Sequence, residues 1–482
     1  MRFRLKPAVL GAAALLCSAP QLAFANELLN VVGLAAEHDA TFAAAVFARD
    51  AALEARPQAR AALLPALDGS YTYSKGRSKG SVSQVSQTLA FDDFGNPIDS
   101  DGDGEQDILP FPFGQDFNTN DTNKNLTVNL KQTVFDWAAF TRYSKSADQL
   151  ALAEATYRSA EQALLLRAAQ AYFDYLASND SLRYTQAQKA SLERQLEQAK
   201  KRFEVGLSAV TDVQEAQASY DVVVADEIAA EQKLASSREA LLEVTGQREA
   251  ALVPLREEIP LPGPQPENVD DWLGVARDNN YDLAIARVNA ALAGHDVDIA
   301  RAGHYPTVSL VGQYSDIEQI QNQRGSDIGD QNLDQRGPSI GLQLNVPIFS
   351  GGLVRSQTRA AQSTEEQRKA ELLGSERNVA RKTRDAYLGV LTGASRVKAL
   401  KQAVSSNQTA LQASETGLEV GTRTTVDVLN AQSLLYSAQR DYARARYDYL
   451  ISILTLKSVS GRLTRADLME IDRLLEGGGS AS

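Results

Sequence analysis

The chain of 482 residues carries 49 basic and 61 acidic side chains, a net charge of −12, and is 43% hydrophobic and 23% charged. These are globular proportions that exclude wholesale disorder, and the acidic balance excludes a nucleic-acid binder, because phosphate contact needs a basic surface. With three histidines and one cysteine, and with neither a nucleophile elbow nor a phosphate loop, the chain reads as no enzyme and calls for no cofactor.

At the N-terminus, Arg2, Arg4 and Lys6 precede an apolar run from Ala8 to Leu16, and Ala23-Phe24-Ala25 offers small residues at a cleavage site. Residues 1–25 are therefore expected to be a secretory signal peptide. Cys17 leaves with it, and Leu16 is too large for a good lipoprotein signal, so the mature chain has no thiol chemistry. Beyond it no apolar run reaches the ~18 residues of a membrane helix. An exported chain of this kind enters a membrane only as a closed β-barrel.

Period-two alternation marks four amphipathic strands. The first surrounds Tyr71 and Tyr73, and the second runs Leu126, Val128, Leu130 and Val134 against Thr127, Asn129, Lys131 and Thr133. The third surrounds Leu310, Gly312 and Tyr314, and the fourth alternates Ile340, Leu342, Leu344, Val346 and Ile348 with Gly341, Gln343, Asn345 and Pro347. Each is expected to have about the ~10 residues of a tilted transmembrane strand. Phe135, Trp137, Phe140 and Phe349, at the strand ends, suggest an interfacial aromatic girdle. Between the first two strands, Asp99, Asp101 and Asp103 open like a calcium loop, but position twelve is Pro110 rather than Glu, so an acidic extracellular loop with at most weak calcium affinity is expected.

Helical signals separate the strand pairs. No proline falls between Phe113 and Val253 or after Ile348, and glycine breaks the first stretch at Gly206 and Gly246. A helix from about Asp136 to Phe203 would run roughly 100 Å, with Leu164, Ala168, Ala171 and Tyr175 forming a coiled-coil seam.

An internal repeat organises these elements. Phe203-Glu204-Val205-Gly206-Leu207 with Thr211-Asp212-Val213 is echoed, 215 residues on, by Leu418-Glu419-Val420-Gly421-Thr422 with Val426-Asp427-Val428. The chain reads as a tandem duplication, with a first repeat at 26–253, a Pro/Gly-rich linker at 254–271, a second repeat at 272–464 and a C-terminal segment at 465–482. Four strands cannot close a barrel, so rotational assembly as a dimer, trimer or tetramer is required. A periplasmic adaptor or a structural coiled-coil stalk would also carry long helices, but neither calls for paired strands at matched positions.

Val420-Gly421-Thr422-Arg423-Thr424 followed by Val426-Asp427-Val428-Leu429, the turn Pro347-Ile348-Phe349-Ser350-Gly351-Gly352 and the tail Ala445-Arg446-Tyr447-Asp448-Tyr449-Leu450 carry a resemblance. The chain resembles the outer membrane factor family of TolC-like ducts over nearly all of its mature length. The resemblance implies a mainly α fold with membrane β: a homotrimeric 12-stranded β-barrel, four strands per chain, continued by a long α-helical periplasmic barrel. It implies an outer-membrane lipid environment, a periplasmic adaptor, and an inner-membrane pump of the RND or ABC type, exporting drugs, other small molecules or proteins.

It also assigns roles at the closed periplasmic tip. Gly206, Leu207 and Ser208, with Gly421 and Thr422, would dock the adaptor, while Arg423 would bridge to Thr211 and Asp212 of the other helix pair. Three copies of Asp427 would form a constricting ring whose like charges raise one another's pKa; the plainer reading of Asp427 is a solvated carboxylate at a helix start. Two positions depart from the family pattern. Asn430 replaces a second aspartate and Leu418 replaces a tyrosine, which predicts a less charged and less polar gate.

Overall fold

The computed structural model describes residues 27–99, 105–106, 108–247, 253–324 and 331–475. The expected signal peptide, and Asp101 and Asp103 of the acidic loop, lie outside them. In chain order the elements are α1 (Glu27–His38), α2 (Ala40–Leu53), α3 (Ala55–Ala61), β1 (Ala66–Leu89), β2 (Ile108–Phe135), α4 (Trp137–Glu204), α5 (Val210–Thr245) and α6 (Val269–Asn279). There follow α7 (Tyr281–Arg301), β3 (Thr307–Arg324), β4 (Gln331–Asn345), α8 (Leu353–Glu419), α9 (Thr425–Val459) and α10 (Arg465–Asp472). No single helix among the described residues is long and apolar enough to cross a membrane. The chain divides into two compact units, one of residues 1–52, 150–290 and 367–482, the other of residues 53–149 and 291–366.

The second unit is built on one antiparallel sheet in the order β1-β2-β3-β4. Its strands correct the sequence expectation of ~10-residue segments, since they run to 24, 28, 18 and 15 residues. The alternation marked only the apolar parts, whereas hydrogen bonding carries the ladders on into Ser-, Asn- and Thr-rich sequence. Register sorts the faces: Leu130 pairs with Leu67, Leu126 with Tyr71, and Leu310 with Leu342, giving one apolar face. The other face is polar, with Asn129 Nδ2 donating to Asp68 Oδ2 at 3.0 Å. The apolar face is uncovered within the chain, Ile340 and Leu342 being 76% and 72% exposed. At the strand ends, a register shift between Thr133 and Phe135 re-aims Phe135, which meets Phe140 at 6.2 Å while Trp137 meets Tyr305 edge-on at 6.3 Å. Phe349 stands fully outward in a turn whose Gly351 and Gly352 both have positive φ. His295 lies 3.0 Å from Asp148, and Lys145 bonds Asp296.

The first unit holds the main apolar core. Leu28, Val31, Val32 and Ala35 of α1 pack with Tyr172 and Phe173 of α4, Leu241 and Val244 of α5, Tyr447, Leu450 and Leu454 of α9, and Leu468 of α10. Tyr172 donates to the carbonyl of Val253, just before the proline-rich segment, and its 215-residue counterpart Tyr387 donates to Glu267 within it. Further donors hold the same segment: Trp272 Nε1 to Pro266, Tyr449 Oη to Pro262 at 2.5 Å, Tyr442 Oη to Glu257, and Arg446 Nη1 to Arg256 and Glu257. The linker expected at 254–271 is thus a fastened strap. Its last residues belong to α6, which Asn268 caps by accepting from Asp270 N.

Arg446 and Asp180 are buried together at 3.7 Å, and Tyr447 Oη donates to Asp180 Oδ2 at 2.8 Å. Burial is the main cause pushing the Tyr447 phenol far above its ordinary range; burial likewise takes Tyr449 up to about 12. Replacing Asp180 by Ala leaves Arg446 buried without its counter-charge and should cost about 3–5 kcal/mol, read as a lowered denaturation midpoint; an unshifted midpoint would show that water replaces the carboxylate.

Glycine identity is forced most strongly at Gly461, where φ is +75° and an added Cβ would lie 2.1 Å from the Asn279 carbonyl oxygen. Gly206 has a similar φ of +73° but open space around it. Gly461→Ala should therefore lower the melting temperature well beyond Gly206→Ala, whose cost is the ~1–2 kcal/mol of a left-handed residue alone.

Candidate functional site

The tips of the two long helical hairpins, both in the first unit, are built by the same backbone device. Helix α4 ends where Leu207 N donates to Arg202 O at 2.7 Å and Gly206 N donates to Phe203 O at 2.9 Å. Helix α8 ends where Thr422 N donates to Gly417 O at 2.8 Å and Gly421 N donates to Leu418 O at 3.3 Å. Both are Schellman closures, which need a left-handed residue after the helix, and Gly206 and Gly421 supply it with φ of +73° and +80°.

The next helices start differently. Thr424 caps α9 in a full capping box: Asp427 Oδ2 accepts from Thr424 N and Oγ1, each at 2.9 Å, while Thr424 Oγ1 accepts from Asp427 N at 3.3 Å. At α5 the cap position is Ala209, which has no side-chain acceptor, so only the Asp212 half of the box exists, accepting from Ala209 N at 3.3 Å.

The two tips meet. Ser208 and Asp212 of the first hairpin line a narrow cleft with Leu418 and Thr425 of the second. Behind it Leu429 packs with Leu192, Leu196, Ala199, Ala216 and Val223. Gly206, Leu207, Gly421 and Thr422 are exposed, as are Thr211 and Asn430, and Ser208 is half-buried with its hydroxyl 3.5 Å from Ala199 O.

Within the single chain Arg423 stays with its own hairpin. Its side chain lies across Gly417, where an added Cβ would stand 2.6 Å from Arg423 Cγ. Its guanidinium comes 3.8 Å from Asp427 of its own hairpin, and among the described residues it bonds neither Thr211 nor Asp212. Arg423 and Asp427 are four residues apart at a helix start, and Asp212 accepts from Ala209 N of its own turn. Asp427 is held by its own turn. The backbone and hydroxyl bonds from Thr424, then the charge of Arg423, hold its carboxyl below the ordinary range.

Of the apolar residues at the tips, Leu207 alone carried an assignment from the sequence. Val205, Leu207 and Val420 are 69%, 71% and 70% exposed, with Phe203 and Val210 about half exposed. Large apolar side chains cluster outward beside the helix-ending glycines, where solvent alone would select polar ones. Their only sequence signal was apolar residues adjoining a helix-stop glycine. The aromatic residues Phe135, Trp137, Phe140 and Phe349 belong to the other unit, and no group of His, Cys, Asp or Glu among the described residues is placed to hold a metal.

A carboxyl held below its unfolded value stabilises at any pH above that value, and the stabilisation fades as pH falls through the lowered one. The α9 cap should therefore be intact at neutral pH and lost only in strong acid. Thr424→Ala should cost about 1 kcal/mol and speed amide exchange in the first turn of α9; unchanged exchange would show that the cap contributes nothing.

A family model described as "Outer membrane efflux protein" matches residues 31–247 and 272–462. The chain is 32% identical to outer membrane protein TolC of Vibrio cholerae, covering 93% of this chain and 94% of that protein. It is 35% identical to TolC of Escherichia coli over 89% of this chain and 80% of that one. It is 31% identical to the alkaline protease secretion protein AprF of Pseudomonas aeruginosa, covering 92% and 86%. Among solved structures, the Campylobacter jejuni CmeC outer membrane channel superposes with a TM-score of 0.70 over 98% of both chains at 15% identity, and the same fold recurs in VceC of Vibrio cholerae with a TM-score of 0.66 at 20% identity over 90% of this chain and 96% of that one. The matches over most of the chain, at these identities and coverages, place it in the outer membrane efflux protein family.

Proposed function

We propose that this outer-membrane exit duct, which extends into the periplasm and serves export rather than enzymatic chemistry, works as a homotrimer gated at its paired hairpin tips. Three copies of the four-stranded sheet would pair their open edges into a 12-stranded barrel, satisfying the backbone groups that a membrane leaves no water to bond. The long helices α4, α5, α8 and α9 would form the periplasmic barrel. The family match disfavours an adaptor or stalk role for the chain itself. The chain division into two structural repeats joined by the strap at 254–271 belongs to the same reading.

The observation that carries the gating part is the pair of glycine-closed tips lying side by side with Val205, Leu207 and Val420 turned outward. An apolar rim around a left-handed turn suits a partner that packs onto it. We assign Gly206, Leu207, Ser208, Gly421 and Thr422 to docking of a periplasmic adaptor, which would link the duct to an RND-type or ABC-type inner-membrane pump. The relatives named for protease secretion and for efflux support both protein and small-molecule cargo, selected by the pump.

Asp427 would line the constriction in three copies, each beside its own Arg423, with neutral Asn430 a turn further on. Such a ring is close to charge-neutral, so the native tip should show only modest cation preference. Arg423→Glu would remove three positive charges and add three negative ones. It should raise both conductance and cation selectivity in planar bilayers; unchanged current and selectivity would remove Arg423 and Asp427 from the constriction.

Docking is tested with the cysteine-free mature chain. Leu207→Cys places one exposed thiol at the tip for crosslinking in intact cells, followed by mass spectrometry. Capture of an adaptor is expected; a site that labels with a small thiol reagent but captures only the duct itself would overturn the docking assignment.

A further inference from the structure

Strand β1 carries a second pattern above its apolar part. Pairing with β2 is unbroken from Ala66 to Leu89, so alternate residues keep one face along its whole length. On the apolar face the order is Leu67, Tyr71, Tyr73, Lys75, Arg77, Lys79. Leu67, Tyr71 and Tyr73 are 72%, 64% and 56% exposed, and the three cations after them are exposed as well. From Thr72 to Ser78 the opposite face holds Thr72, Ser74, Gly76 and Ser78, with no charge.

Among the described residues those cations form no ion pair. Lys75, Arg77 and Lys79 stand directly opposite Thr122, Asn120 and Asn118, and none of them bonds a carboxylate among the described residues. Neighbouring cations on the same face are matched: Lys124 bonds Glu318 at 3.0 Å, and Arg336 bonds Asp334 at 2.9 Å. Residues two apart on a strand are about 6.8 Å apart, inside the ~8 Å screening length at physiological salt. Three unmatched cations at that spacing repel one another unless an external anion lies along them.

We propose that Lys75, Arg77 and Lys79 form a ladder that binds phosphate-bearing lipid headgroups of the outer leaflet. The inference rests on the barrel reading, which turns the apolar face to lipid and puts the β1–β2 and β3–β4 connections at the extracellular end. Tyr71 and Tyr73 then mark the interface, where such rings settle, and the next residues on that face enter the headgroup layer. The competing occupant is the β4 edge of a neighbouring copy, but its Asp334 is already held by Arg336, leaving that carboxylate matched within its own chain.

The test uses the full mature chain reconstituted in nanodiscs of phosphatidylcholine with or without lipid A as the phosphate-bearing probe, counting retained lipid by native mass spectrometry. The triple variant Lys75→Gln, Arg77→Gln, Lys79→Gln should retain lipid A more weakly by roughly fivefold per charge removed, with unchanged assembly and conductance. The polar-face control Lys131→Gln should leave retention unchanged. Unaltered lipid A retention by a triple variant that still conducts overturns the ladder. Loss of assembly in phosphatidylcholine alone, reproduced by Asp334→Asn, would assign these cations to the seam between copies and equally overturn it. If even the native chain forms no pore, the barrel reading fails and the ladder falls with it.

Discussion

A four-stranded sheet with an uncovered apolar face and two unpaired edges is stable neither in water nor, alone, in a bilayer. Water rejects the face that Ile340, Leu342 and Leu344 present, and hydrocarbon rejects the unbonded N–H and C=O groups along β1 and β4. The proposed pairing of copies edge to edge would meet both demands, and it accounts for strands that are amphipathic rather than apolar throughout.

The helical unit solves a different version of the same problem. A segment rich in proline cannot form its own hydrogen-bond ladder, so its carbonyls need donors from elsewhere. Tyr387, Tyr442, Tyr449, Trp272 and Arg446 supply them. Those donors are amphipathic side chains that bury an apolar body while delivering a polar tip. The strap is thereby part of the core, with Leu255 buried and Arg256 N donating to Leu474 O at 3.2 Å.

The two hairpin tips share a sequence motif yet have unequal ends. Both keep the glycine that closes a Schellman turn, and both keep the aspartate three residues into the following cap. Only the second repeat has Thr424, so only there does the aspartate complete a capping box, and only there does an arginine stand beside it. The first repeat has Ser208 and Ala209 in those places. The resulting asymmetry sets an Arg423–Asp427 approach at the start of one helix and leaves Ser208 and Ala209 at the start of the other.

Period-two alternation located four strands, proline and glycine spacing located the long helices, and the 215-residue echo located both tips. These features are local: each depends on the residue types within a few positions, so sequence alone determined them. Strand length was not local, because Ser-, Asn- and Thr-rich residues join a ladder only when a partner strand lies alongside. Arg423 has the same neighbours in sequence whichever acid it meets; within the chain its side chain packs across Gly417 and comes near Asp427. The strap and the buried Arg446–Asp180 pair join residues far apart in the chain, and no periodicity encodes which carbonyl a buried donor will reach. Tertiary structure decided these, since a buried polar group is satisfied by whatever folding brings within hydrogen-bond distance.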